Sequence, residues 1–295
     1  MITTDGAAVG RWGEPVDQLL RFTFEHLNVR GELVQLGASW RAIRENQAYP
    51  AVVASELGQG IAAVALLSGT IKFQGSLILQ AQGSGPLPLV LAQATDQRTV
   101  RGLARWQPEV VEAAPSALYR NGRLVITAQA PDNERYQGIV ALDADHLAHA
   151  LETYFAQSEQ LPTRLWLSAD GERAAGLFLQ RLPGESADPD GWERVCLLAD
   201  TVREAELRQL APEALLVRLF HEETVRTFEP EPVAYRCGCS REQTGDMLRA
   251  LGPDEAGEVV REEGEIRVDC EFCGRSYRFD PVDVAALFAP GGSAL

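Results

Sequence analysis

Two short cysteine pairs, Cys237-Gly238-Cys239 and Cys270-Glu271-Phe272-Cys273, stand near the end of this 295-residue chain with 30 residues between them. This feature constrains the fold most, because four thiolates brought to one point satisfy a tetrahedral zinc ion, and a closed set of four sulfurs is the usual form of a structural zinc site. The spacing therefore assigns one zinc per chain to Cys237, Cys239, Cys270 and Cys273. The intervening excursion has the signals of a small fold. Ser240 with Gln243 reads as a capping box before a helix carrying Met247, Leu248 and Leu251, and Gly252 would end it. Glu265–Asp269 and Ser276–Phe279 read as a hairpin around the second pair, and Asp280-Pro281 as the start of a last helix. So little apolar material is present that metal binding should supply much of the folding free energy of this module, about 10 to 16 kcal/mol in comparable zinc modules.

Charge narrows the partners. The net charge of −15 repels phosphate backbones and anionic membranes. Residues 231–295 carry seven Arg against thirteen Asp or Glu, so the zinc module has no basic face and nucleic acid is not an expected partner. The first fifteen residues, Met1 to Pro15, lack the basic and apolar regions of a secretory signal and read as a loose tail. The longest uninterrupted apolar run, Ile61 to Leu67, is short for a bilayer span. Five cysteines without an export signal point to a reducing compartment, so a soluble cytoplasmic protein is expected, with thiols held as metal ligands or reactive groups.

The rest of the chain has ordinary globular composition, 45% hydrophobic and 23% charged, and its length suggests more than one domain. Val16 to Leu27 has apolar residues at a spacing that predicts an amphipathic helix, followed by a strand at Arg30 to Leu36. Pro50 opens an Ala- and Val-rich segment to Leu67 that predicts a buried helix, with Gly58 and Gly60 as its weak points. Thr70 to Gln82, Arg123 to Gln129 and Tyr136 to Leu142 read as strands, Asp143 to Ala156 as a helix and Arg164 to Leu167 as another strand. Together these predict an α+β fold: an N-terminal domain of mixed sheet and helix over residues 1–182, a helical linker over 183–230 and a small zinc-binding domain over 231–295. The linker begins at the Pro-, Gly- and Asp-rich stretch Leu182 to Trp192. Its helices, carrying Trp192, Val195, Leu198 and Val202 and then Leu215, Leu216, Leu219 and Phe220 after Pro212, are short and must borrow stability from a neighbour.

Spacing alone leaves several functions open. The site could be a structural staple in a zinc-ribbon adaptor. Cys270 and Cys273 could serve a dithiol oxidoreductase, although such a pair normally opens a helix beside a βαβ unit and here it follows a strand. An oxidant acting on zinc-bound thiolates could eject the metal and unfold the module, which makes a switch.

At this point the chain resembles the redox-regulated 33 kDa heat-shock chaperonin family, also called HslO, over nearly its whole length. The resemblance is carried by RCGCSRE around Cys237 and Cys239 and by GEIRVDCEFCG around Cys270 and Cys273. It extends to VRGELV (Val29–Val34), ERYQGIV (Glu134–Val140), SEQLPTRL (Ser158–Leu165) and FHEETV (Phe220–Val225). The resemblance implies an ATP-independent holdase, not an enzyme, that is inactive while reduced and zinc-bound. Oxidation would form the disulfides Cys237-Cys239 and Cys270-Cys273, release zinc and loosen the linker, so that a homodimer holds unfolding client proteins during oxidative stress and heat shock.

Other candidates have blander readings. Cys196 lies on an apolar helical stripe and reads as a buried, inert thiol. His26, His146, His149 and His221 are scattered without a nucleophilic motif. Gly83-Ser84-Gly85 lacks the third glycine of a dinucleotide loop and reads as a tight turn. The acidic run Asp254 to Glu265 reads as a solvated helix face.

Overall fold

The computed structural model describes residues 2–4, 17–71, 73–111, 113–130, 135–142, 146–184 and 187–289. The chain begins with β1 (Ile2–Thr4), β2 (Gln18–Phe24) and β3 (Val29–Leu36), then α1 (Ala38–Arg44) and α2 (Ala51–Thr70). Next come β4 (Ser76–Gln82), β5 (Leu89–Thr95), β6 (Thr99–Arg105), α3 (Pro115–Tyr119), β7 (Gly122–Gln129) and β8 (Arg135–Leu142). Helix α4 (Leu147–Tyr154) runs through a π-turn into the hairpin β9 (Thr163–Ala169) and β10 (Ala174–Arg181). Helices α5 (Gly191–Ala199), α6 (Glu204–Gln209) and α7 (Pro212–Phe220) precede the short strands β11 (Val225–Thr227), β12 (Glu231–Pro232) and β13 (Ala234–Tyr235). These elements form one compact unit ending at Arg236. A second unit starts at Cys237 and holds α8 (Arg241–Leu251), α9 (Pro253–Glu263), β14 (Ile266–Asp269), β15 (Ser276–Phe279) and α10 (Pro281–Leu287).

The architecture is α+β, as the pattern of elements predicts. In the first unit one sheet runs β1-β11-β2-β3-β10-β9, with β12 also on β2, and another runs β13-β6-β5-β4-β7-β8. Helix α2 packs against strands of both sheets, which explains its composition. A helix apolar on all sides must be buried on all sides. By length and composition α2 could cross a membrane, yet 78% of its apolar window is buried inside this fold, so it is a core helix. Its glycines are packing devices. A Cβ on Gly58 would fall 2.4 Å from the Ala169 Cβ and 3.0 Å from the Trp40 ring, so only glycine lets β9 and α1 approach this closely.

The first sheet is buried on both faces. Leu19, Val34 and Phe178 join the core around α2, while Leu20, Phe22, Phe24, Leu33, Leu177 and Leu179 face a separate core formed with α5, α6 and α7. There Leu215, Leu216 and Phe220 are fully covered, and Phe220 meets Phe24 edge to face with ring centroids 4.9 Å apart. The helices of residues 183–230 thus rest on an apolar sheet face. Polar ties hold their ends: Gln35 Nε2 donates to the carbonyls of Leu207 and Leu210 at 2.8 and 2.7 Å, and Arg208 pairs with Asp170 at 2.9 Å.

Several local expectations need correction. Gln18–Phe24 is a strand, although Val16 to Leu27 predicts a helix; Val16 itself lies outside the described residues. The apolar set fits both periods, and burial on both faces of a central strand decides for the strand. Within the segment read as a loose tail, Ile2–Thr4 pairs in parallel with Val225–Thr227, and the remainder of Met1 to Pro15 lies outside the described residues. The strand expected from Thr70 starts only at Ser76, because Thr70 still belongs to α2. The helix expected from Asp143 is seen from Leu147; residues 143–145 lie outside the described residues. Strands β5, β6 and β10 are not among the expected elements.

Candidate metal centre

The second unit folds locally as its caps dictate. Ser240 Oγ accepts from the Gln243 amide at 3.1 Å to start α8, and Gly252 closes it at φ 104°, a conformation favouring glycine. Asp280 caps α10 through a reciprocal box with Asp283. Strands β14 and β15 pair from Ile266↔Phe279 to Asp269↔Ser276, so the turn between them presents Cys270 and Cys273. That turn is tied by Cys270 N to the Arg275 carbonyl at 2.9 Å and by Gly274 N to the Cys270 carbonyl at 2.7 Å. Cys237 and Cys239 stand directly before the Ser240 cap. The core behind them is small: Leu248, Ala256, Val260, Ile266, Phe279 and Val284 are its buried members.

All four sequence-predicted ligands meet. Their sulfurs lie within 4.8 Å of one another, with Cys237 Sγ 3.6 Å from Cys270 Sγ and Cys239 Sγ 3.4 Å from Cys273 Sγ. Four sulfurs each about 2.3 Å from one zinc would lie about 3.8 Å apart, so the cluster has the size of a tetrahedral sulfur cage. The donor set fits a zinc site. Contacts of 3.4 and 3.6 Å link one pair to the other, as expected for ligands folded round a common centre.

The electrostatics of the cluster call for a cation. Burial opposes ionisation of Cys239, but hydrogen bonds from Tyr277 and the neighbouring thiols outweigh it and bring this thiol down to about 7. Burial pushes Cys237 up, with the Cys239 and Cys270 thiols adding to the rise and that of Cys273 opposing it, and burial pushes Cys273 up to about 12, with its three thiol neighbours adding to the rise. The Cys239 thiolate is thus favoured while those of Cys237 and Cys273 are opposed, and a bound cation is what stabilises thiolates packed this closely. Tyr277 is the residue that sequence reasoning misses. Its hydroxyl donates to Cys239 Sγ at 3.2 Å, and only the approach of β15 to the first cysteine pair reveals it.

The discounted groups stay apart from this centre. Cys196 is buried in α5 and its thiol is pushed up to about 12 by burial, the state of an unreactive cysteine. Gly83, Ser84 and Gly85 form a turn whose amides donate to the carbonyls of Pro88, Arg120 and Tyr119. The acidic run lies mostly on α9, where Ala256 and Val260 face the core and the carboxylates face outward. His149 and His221 sit beside Glu152 and Glu222 on the surface.

An α+β body with two sheets, followed by a small four-thiol metal module, defines the class of this protein. Comparison with known proteins makes the assignment specific. The family model described as "Hsp33 protein" matches residues 17–280. The 33 kDa chaperonin of Nitrosococcus oceani is 56% identical over 272 residues, covering 92% of this chain and 94% of its own length. That of Azotobacter vinelandii is 47% identical over 281 residues, with 92% and 95% covered. The crystal structure of the 33 kDa chaperonin of Thermotoga maritima superposes with a TM-score of 0.77 at 23% identity, covering 92% of this chain and 97% of that one, and so shares its fold. The chain belongs to the Hsp33 family of chaperones.

Proposed function

We propose that the protein is a redox-regulated, ATP-independent holdase of the cytoplasm, activated by oxidative stress. In the reduced state Cys237, Cys239, Cys270 and Cys273 would hold one zinc. Zinc would supply only the charge and the tetrahedral link that keep the module folded. The chain's own residues do the rest: Tyr277 orients the Cys239 sulfur, the β14–β15 turn fixes Cys270 and Cys273, and the Ser240 cap fixes the end of the first pair.

Peroxide would take two electrons from each pair of thiolates, joining their sulfurs and itself becoming two waters with two protons from solvent, and sulfurs so joined no longer serve as thiolate ligands. We assign the disulfides within the pairs, Cys237-Cys239 and Cys270-Cys273. The cluster geometry does not choose this pairing, since all four sulfurs lie within 4.8 Å of one another. The pairing is instead favoured once the module opens, because only partners adjacent in sequence then stay close.

The observation that carries the reading is the covered apolar face. Helices α5 to α7 are six to nine residues long, below what is stable alone in water, and they hide Phe22, Phe24, Leu33 and Leu177. The chain leaves them through β12 and β13, and Tyr235 stands two residues before Cys237. Loss of the metal fold would load this exit first. Released helices would bare apolar surface on both the sheet and their own stripe for unfolding clients. A homodimer of the oxidised chain would enlarge that surface, and neither nucleic acid nor a membrane has a role in this reading, nor does catalytic turnover.

The deciding experiment follows aggregation of a thermally unfolding protein in the presence of reduced or peroxide-treated chain, with zinc release measured in parallel. Suppression by the treated sample alone, in step with zinc release, is expected. Equal behaviour of both samples, or turnover of a dithiol substrate without zinc loss, would overturn the reading in favour of an adaptor or an oxidoreductase.

A further inference from the structure

The sulfurs of the cluster are held by different kinds of donor. Cys237 Sγ accepts from the Cys239 amide and Cys273 Sγ from the Arg275 amide. Bonds of that kind come with the turn of the backbone. Cys239 Sγ accepts instead from a side chain, the Tyr277 hydroxyl at 3.2 Å. The guanidinium of Arg275 donates to the Tyr277 oxygen from the other side, which leaves the phenolic proton to point at sulfur.

Tyr277 is seated by more than this bond. Its partner across the hairpin is Val268, and its ring packs half-buried against the core of the module. Strand β15 is also tied to the helix that follows the first pair, because Arg241 of α8 donates to the Arg278 carbonyl at 2.6 Å and lies over the Phe279 ring at 4.3 Å. The ring position is therefore fixed by packing and strand pairing, and the hydroxyl is free to act on the sulfur alone.

Oxidation begins with sulfur as the nucleophile. An electron pair of Cys239 would form an S–O bond to one oxygen of hydrogen peroxide while the O–O bond breaks, and the second oxygen leaves as hydroxide and takes a proton from solvent to become water. The Cys237 sulfur would then form the S–S bond, and the sulfenic hydroxyl leaves as a second water with another proton from solvent. A donor on Cys239 holds the electron density that the first step must give away. Its hydrogen bond is strong while the sulfur is electron-rich and weakens as the S–O bond forms, so it stabilises the starting state more than the transition state and slows attack.

We propose that Tyr277 is a positioning residue that sets the oxidant threshold of the switch, by tying up the Cys239 sulfur and damping its attack on peroxide. The inference rests on the redox-switch reading and deepens it by naming a side chain that regulates the same site.

The test uses full-length, zinc-loaded protein, parent and Tyr277→Phe, with zinc release followed by a chromogenic chelator over a series of hydrogen peroxide concentrations. The slope of the rate against peroxide reads attack on sulfur, and the intercept reads spontaneous loss of metal. The slope should rise about tenfold in the variant, the effect of one lost hydrogen bond to a charged sulfur, while the intercept changes much less. Brief exposure to peroxide with dimedone present, followed by peptide mass spectrometry, should place the added sulfenic acid on Cys239. In cobalt-substituted protein the sulfur-to-metal charge-transfer band should move to longer wavelength in the variant, since a sulfur without its donor gives up an electron more easily. The proposal is overturned by an unchanged slope, by an equal rise of slope and intercept, which marks a loosened module, by added oxidation on the other cysteines, or by a band that stays in place. Aggregation assays on the oxidised parent report separately on the holdase reading, which can fail while the ratio of slopes still decides the role of Tyr277, and the reverse.

Discussion

At the scale of residues, the centre depends on four sulfurs acting as a unit. Replacing Cys273 by Ser leaves a three-sulfur site with an open position, so the variant should lose full-affinity zinc and the fold of residues 237–295 together. Metal content after exposure to a competing chelator reads the first loss and hydrogen exchange the second; retention of tight zinc by a folded variant would exclude Cys273 as a ligand. A second residue contributes to pH dependence, beside Glu32, whose carboxyl burial raises to about 8. Glu56 of α2 is buried in the core beside Tyr119, whose hydroxyl is 3.2 Å away, and burial raises its carboxyl to about 7. A carboxyl whose folded value is raised binds a proton more readily in the native state, so its contribution is complete below about 4.5, where the unfolded group titrates, and fades as pH climbs to about 7. Glu56→Gln should flatten the fall in stability between these limits. The effect should reach roughly 3 kcal/mol at most, since each tenfold difference in proton affinity between the folded and unfolded chain is worth about 1.4 kcal/mol. Urea titrations at pH 5 and pH 8 would show it, and an unchanged pH slope would mean that Glu56 is not the group responsible.

At the scale of elements, the helices α5 to α7 are held by what they cover. Phe220 is fully buried against Phe24 and Phe22, and truncating it to Ala should weaken docking of α7 by about 3 to 5 kcal/mol. The loss should fall on these helices before the sheet. Faster hydrogen exchange confined to residues 191–227, together with activation at lower peroxide, is the expected result; uniform destabilisation of the whole unit would show instead that the helices unfold only with the sheet. Of the elements themselves, the helices were legible wherever a start signal coincided with an apolar run, as at Pro50, Pro212, Ser240 and Asp280. Gln18–Phe24 was not, because its apolar spacing serves a strand and a helix equally and the choice is made by two layers that cover its faces.

At the scale of the whole molecule, the two units draw on different sources of stability. The first buries a long, largely apolar helix against two sheets, whereas the second has a hydrophobic core of six buried residues. Removing metal with a chelator under reducing conditions should therefore unfold residues 237–295 while α2 and both sheets keep their exchange protection. Truncation after Arg236 carries the same expectation further. The shortened chain should keep a cooperative melt, lose protection over α5 to α7, and suppress aggregation without oxidant. A shortened chain with protected helices and no holding activity would show that the metal module does not restrain them.

The sequence by itself determined the four-cysteine cluster, since two cysteine pairs at this spacing suit one tetrahedral set of ligands. It also determined the α+β class, through runs of strand pattern interrupted by capped helices, and the place of the small module at the end of the chain. Tertiary structure decided two things that local pattern cannot carry. It placed Tyr277 on the Cys239 sulfur, and it laid α5 to α7 over the aromatic face of β2. Each of these depends on which surfaces meet across long stretches of chain, whereas capping, periodicity and ligand spacing are written within a few residues of one another.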